Sequence, residues 1–335
     1  MADQDLRSLR FRTEREDTWK RLEKLVKRVE GGGAGRLSDE DMVAIPALYR
    51  ATLSSLSVAR ETSLDAALID YLEALSARAY FCVYGARTTL FERIGKFFTQ
   101  DWPAAVRAVW RETLASALIM AVGVAAAWLL VANDPAWYFS FVPEDLAQGR
   151  VPTASVESLR ETLYSKSGVD DGLSVMATFL FTHNAQISLF AFALGIAFCL
   201  PSAMLMAYNG CMLGAMFQVF ASHGLGLQFG GWIFIHGVTE LFAVTLAGAA
   251  GFHVGWAMAF PGPETRLHAA ERAGRQGGVV MIGVVIMLFL AGLLEGFARQ
   301  LITLDWLRYT IAGTTLLLWC AYFYLGGAAR EARDG

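Results

Sequence analysis

Apolar residues follow two different rhythms along this chain. In the first ninety residues they recur at helical spacing inside charged sequence, as Trp19, Leu22, Leu25, Val26 and Val29, and later as Leu64, Leu68, Tyr71, Leu72 and Leu75. Such stripes predict amphipathic helices that bury one face and wet the other. Gly31–Gly35 interrupts the first stripe, and Ser38 with Asp41 three residues later has the pattern of a helix-opening cap. Past residue 112 the rhythm gives way to long uncharged runs. Thr113–Ala132, Leu173–His223, Gln228–Phe260, Gly277–Ala298 and Arg308–Leu325 are all predominantly apolar. About 20 residues of helix cross a ~30 Å hydrocarbon core. The 173–223 run is too long for one crossing, and Pro201 after Leu200 marks its dividing point, because proline opposes helix at its own position and the one before.

The expected fold is therefore all-α and polytopic, with about six transmembrane helices behind a cytoplasmic helical N-terminal region. Residues 1–90 form that region, 112–330 the transmembrane domain, and 133–172 a polar loop on the outer side. Between them, residues 91–111 set Phe91, Ile94, Phe97, Phe98, Trp102, Val106, Val109 and Trp110 against Arg93, Lys96, Arg107 and Arg111. Basic residues opposite aromatics suit an interfacial elbow on the membrane surface, with a break expected at Trp102-Pro103.

Charge sharpens this division. Residues 1–111 hold 18 of the 28 Lys and Arg and 16 of the 31 Asp and Glu. The first 30 residues contain no apolar core of the kind a cleavable signal peptide needs. Lys and Arg near span ends collect on one side if there are six spans. These are Arg87, Arg93, Lys96, Arg107 and Arg111, then Arg266, Arg272 and Arg275, then Arg330 and Arg333. That side is expected to be cytoplasmic, with both termini on it. The net charge of −3 and the lack of a basic aromatic stripe argue against nucleic-acid binding. Cys82, Cys199, Cys211 and Cys320 are scattered and form no paired metal spacing.

Candidate chemistry centres on Glu240, the only Asp, Glu, Lys or Arg between Asp171 and Glu264. A carboxylate at mid-membrane costs roughly 2.5–3.5 kcal/mol on insertion scales. His236 lies one turn earlier and shares its helical face, which continues through Ala243, Ala247 and Gly251. Those small residues predict close packing against another helix. Helical rise places His183, Asn184, His236, Glu240 and Glu295 in one layer, with Asn209 able to join from below. A hydrogen-bonded network that fixes helix register is the first reading, and Glu295 also has Arg299 four residues on as an ion-pair partner. A metal is not expected, although His183, His236 and Glu240 are the candidate ligands if one binds. Ion or proton movement through a His236/Glu240 relay is the other alternative. Gly210 with Gly214, and Gly251 with Gly255, read as helix-packing contacts. No Walker A, nucleophile elbow or pair of catalytic carboxylates is present, so enzyme activity is left unassigned and no cofactor is expected.

An ordered set of residues resembles the stage II sporulation protein M family of integral membrane proteins. It runs Phe181-Thr182-His183-Asn184, Gly195-Ile196, Asn209-Gly210 with Gly214, and His236-Gly237 with Glu240-Leu241. Ala247-Gly248 with Gly251, Pro261-Gly262 with Arg266, Gly274-Arg275, and Ala291-Gly292 with Glu295-Gly296-Phe297 complete it. In the N-terminal region Tyr71-Leu72 and Arg78-Ala79 keep the family pattern, but Tyr80 stands where the family often has His. The resemblance implies a multi-pass bacterial inner-membrane protein. It implies a scaffold for envelope-remodelling, peptidoglycan-related partners, with lipid around it, a homo-oligomeric state, and in some relatives a MoxR-type ATPase system nearby. A transporter or channel using His236 and Glu240, or an intramembrane metal-dependent hydrolase, are the alternatives.

Overall fold

The computed structural model describes residues 2–32, 37–62, 65–84, 90–164, 172–295 and 302–325, and among them it is almost entirely helical with no strand. Leu64, Arg87, Phe297, Arg299, Arg330 and Arg333 lie outside the described residues, as does the 165–171 part of the polar loop. The chain divides into two compact units, 1–94 and 95–335.

The first unit is built from α1 (Ala2–Gly32), α2 (Asp39–Glu61) and α3 (Ala66–Tyr84). Their stripes meet in one core of Trp19, Leu22, Leu25, Val26, Ile45, Leu56, Leu68, Leu72, Leu75 and Ala79. The expected cap is present, with the Ser38 hydroxyl accepting from the Asp41 amide at 3.2 Å. Around the rim Arg78 makes a two-pronged pair with Glu30, at 3.0 and 2.7 Å. A seven-residue α4 (Leu90–Lys96) follows and buries none of its residues.

The second unit opens with a π turn over Phe97–Asp101, then α5 (Trp102–Ala108). Pro103 has no N–H to give the Thr99 carbonyl, and its ring crowds that carbonyl, so the chain widens before it. The direction changes at Val109 (φ −102°, ψ 24°), not at Trp102-Pro103 as the sequence suggested. Trp102 is also no surface residue. It is 1% exposed, wedged onto Gly283 and ringed by Trp319, Tyr322 and Phe323.

Six long helices follow: α6 (Trp110–Asn133), α10 (Gly172–Ala193), α11 (Leu200–Ser222), α12 (Gly226–Ala259), α13 (Arg266–Leu293) and α14 (Asp305–Cys320), the last extended by a π turn to Leu325. Among the described residues five helices are long and apolar enough to cross a membrane: α2, α6, α11, α12 and α13. In α2 the apolar face is spent on α1 and α3, and Pro46, Arg50 and Arg60 lie along it, so its place is the helical bundle. Helix α10 is uncharged over 22 residues, and α14 is uncharged beyond Arg308. The membrane domain thus has the six helices that its apolar runs predicted.

Helix α12 is the axis. It packs on α6, α10, α11, α13 and α14, and two thirds of its most apolar window is buried, against 28% for α6. Small residues make this possible. Gly210 and Gly214 of α11 lie on the Met120 and Val124 backbone of α6, and Gly251 of α12 lies on Ala191 of α10, so a Cβ at any of them would strike main chain. Gly255 abuts the Cys199 backbone in the same way, which makes all four packing contacts. The α10–α11 turn runs through a 3-10 step at Leu194–Ile196 and then Phe198 and Cys199, both at positive φ (58° and 68°), before Pro201 seats in the first turn of α11. The Cys199 thiol contacts the Phe252 carbonyl at 3.4 Å, and this holds the tight corner to α12.

Residues 133–164 are more ordered than a polar loop. Short helices α7 (Tyr138–Phe141), α8 (Glu144–Ala147) and α9 (Val156–Tyr164) bury Tyr138, Val142, Leu159 and Leu163 against Phe220, Phe229 and Trp232. Tyr138 donates to the Arg150 carbonyl at 2.5 Å, and Arg308 closes the far edge by donating to Ile302 O and Leu163 O at 2.7 and 3.0 Å. Burial pushes the Tyr138 and Tyr164 phenols up to about 12. For Tyr164 a hydrogen bond to Asp305 at 2.8 Å adds to this.

Candidate functional site

Four of the six residues singled out from sequence meet at one place. The i,i+4 spacing on α12 puts His236 and Glu240 side by side, and Asn184 reaches in from α10. The Asn184 Nδ2 donates to Glu240 Oε1 at 2.6 Å. Glu295 arrives at the end of α13, where the backbone passes from α to π geometry at Leu294 and Glu295. A π turn swings the next side chain away from the α register, and here it carries Glu295 inward. His236 Nε2 and Glu295 Oε1 stand 3.7 Å apart, with 6% and 5% of their side chains exposed. That is ion-pair distance and too long for a hydrogen bond. One ligand-type atom from each of His236, Glu240 and Glu295 lies within 4.8 Å of the other two. Beside the cluster, Trp319 Nε1 of α14 donates to Thr239 Oγ1 at 3.1 Å.

His183 is half-buried on α10, next to Asn184. Asn209 donates to Leu205 O at 3.0 Å within α11.

Below the cluster the face of α12 continues as Ala243, Ala247 and Gly251, all buried and packed on neighbouring helices. A second polar group sits near the other end of α12 and was not foreseen. His253 places Nδ1 at 3.0 Å from Glu112 Oε1 of α6 and Nε2 at 3.2 Å from Gln276 Oε1 of α13. Whichever way the Gln276 carboxamide is turned, Nε2 has a partner there. The sequence signal was present, since Glu112 opens the first span and Gln276 opens the apolar part of α13. It was hidden because the three are far apart in the chain. By helical rise the two groups are ~20 Å apart along α12.

An all-α bundle of long apolar helices, with its ionisable residues turned onto one another at the central helix, defines a polytopic integral membrane protein. Residues 116–298 match the family model described as Stage II sporulation protein M. The chain belongs to this family of integral membrane proteins, and the match takes in Asn184, His236, Glu240 and Glu295 together. Residues 9–85 match a family model described as a domain of unknown function (DUF8413), which covers most of the N-terminal helical unit. No curated protein and no solved structure matches the chain.

Proposed function

We propose that the chain is an inner-membrane scaffold that gathers envelope-remodelling partners, with both termini in the cytoplasm. The observation that carries this reading is how the intramembrane polar residues are used. Glu240 is held by Asn184, His236 faces Glu295, and Thr239 is held by Trp319, so each contact ties α12 to a different helix. The face beneath them is closed by Ala243, Ala247 and Gly251 packed on protein. Groups arranged in this way hold helices, and the small residues below them let the neighbouring helices pack closely. The N-terminal unit folds on a core of its own and leaves charged faces exposed, which suits docking of cytoplasmic partners, a MoxR-type ATPase system among the candidates. Self-association in the membrane is part of the same proposal.

The test uses the purified full chain alone in proteoliposomes, together with capture of cross-linked neighbours from native membranes. The scaffold reading expects no ion or proton flux and no turnover. It also expects envelope proteins to be recovered with the full chain and lost when residues 1–94 are removed. Flux or turnover by the protein alone, abolished by Glu240→Gln with the fold intact, overturns it.

A further inference from the structure

We infer that His236, Glu240 and Glu295 form a structural site for a divalent transition-metal ion that pins α12 to the end of α13. One imidazole nitrogen and two carboxylate oxygens, each within 4.8 Å of the others, converge inside the helix bundle. His236 and Glu295 are almost wholly buried and Glu240 is half-buried. The donor mix is informative. A ring nitrogen among carboxylates suits zinc, manganese or ferrous iron, whereas calcium and magnesium prefer sites made of oxygen alone.

Backbone and outer contacts support the same assignment. The i,i+4 spacing of His236 and Glu240 is a helical two-ligand arrangement. Glu295, in the π turn at Leu294 and Glu295, supplies the third group. Asn184 holds one oxygen of Glu240 from α10, as outer-shell donors hold ligating carboxylates. Metal bonds of ~2.0–2.2 Å put tetrahedral ligand atoms roughly 3.3 Å from one another. The 3.7 Å between His236 and Glu295 already approaches that separation, so small side-chain rotations close the set. The inference concerns this cluster and does not depend on what the N-terminal unit recruits.

The test uses full-length protein without an affinity tag, stripped with chelator, exposed to zinc or cobalt and desalted. Elemental analysis is expected to return about one metal per chain, and cobalt to give the visible bands of a low-coordinate site. His236→Ala and Glu295→Gln are expected to bring the ratio below about a tenth, whereas His253→Gln keeps it. Chelator is expected to lower the melting temperature of the unaltered chain, a readout that stands if the variants fold poorly. Less than about a tenth of a metal per chain in the unaltered protein overturns the proposal and assigns the cluster to hydrogen bonding alone. Metal retained in both cluster variants also overturns it. Neither result touches the scaffold reading, which the capture experiment tests separately.

Discussion

The Asn184 carboxamide donates to Glu240 Oε1 at 2.6 Å and links α10 to the central helix α12. Intramembrane pairs of this kind average ~0.6 kcal/mol in double-mutant cycles and reach ~1.7. Asn184→Leu, which takes away the donor and leaves the half-buried carboxyl without it, is expected to cost ~1–3 kcal/mol. Glu240→Gln, which keeps the shape and can still bond Asn184, should cost less. The Asn184→Leu/Glu240→Met pair should cost less than the two single changes added. Unfolding in mixed micelles measures this, and a strictly additive double variant would refute the coupling.

Gly283 and Trp102 make a second close contact, in which the indole occupies the space where a Cβ would stand. Gly283→Ala must therefore move Trp102, which is locked by Trp319, Tyr322 and Phe323. Overpacking of this sort costs ~1–3 kcal/mol. In a Trp102→Leu background the same substitution should cost well under half as much. Thermal unfolding of the four proteins settles it, and an equal cost in both backgrounds would show that the indole is not the obstacle.

Arg308 is fully buried at the start of α14, where it donates to Ile302 O and Leu163 O and lies 5.3 Å from the Tyr164 ring. Its planar fork meets carbonyls in two directions while stacking, which a lysine ammonium cannot do. Arg308→Met and Arg308→Lys are both expected to loosen the 133–164 segment. Limited proteolysis within 133–164 should quicken severalfold, with the membrane helices left intact. Cleavage of the lysine variant at the original rate would mean that charge alone is enough.

Much of this structure was legible in sequence because burial in a membrane writes itself in long uncharged runs. Glu240 stood out for the same reason, and the 3.6-residue period tied it to His236. The layer count brought in Asn184 and Glu295 correctly, because depth along a straight helix is simple arithmetic. Depth says nothing about azimuth, so it did not reveal that Asn209 bonds the Leu205 carbonyl one turn earlier in its own helix. The elbow at Trp102 misled for a related reason. Aromatics beside basic residues look the same whether they face lipid headgroups or a glycine socket, and only Gly283, far off in the chain, decides. His253, Glu112, Gln276 and the folded cap over 133–164 depend on pairings between distant segments, which no local pattern records.

The cap also makes a prediction about pH. Tyr138 donates to Arg150 O and Tyr164 donates to Asp305, and both phenols keep their protons up to about 12 in the fold. In an opened cap they would ionise near the ordinary value of ~10. The folded form thus holds more protons between those two values, so its stability falls as pH rises there. The contribution is complete below pH ~10 and lost as pH climbs through ~12, roughly 2–3 kcal/mol for buried Tyr138. Tyr absorbance near ~295 nm and proteolysis of residues 133–164 should report opening in the same alkaline window. Tyr138→Phe should flatten the dependence and lower stability at neutral pH through the lost bond. An unchanged alkaline profile in that variant would mean that ionisation of Tyr138 does not open the cap.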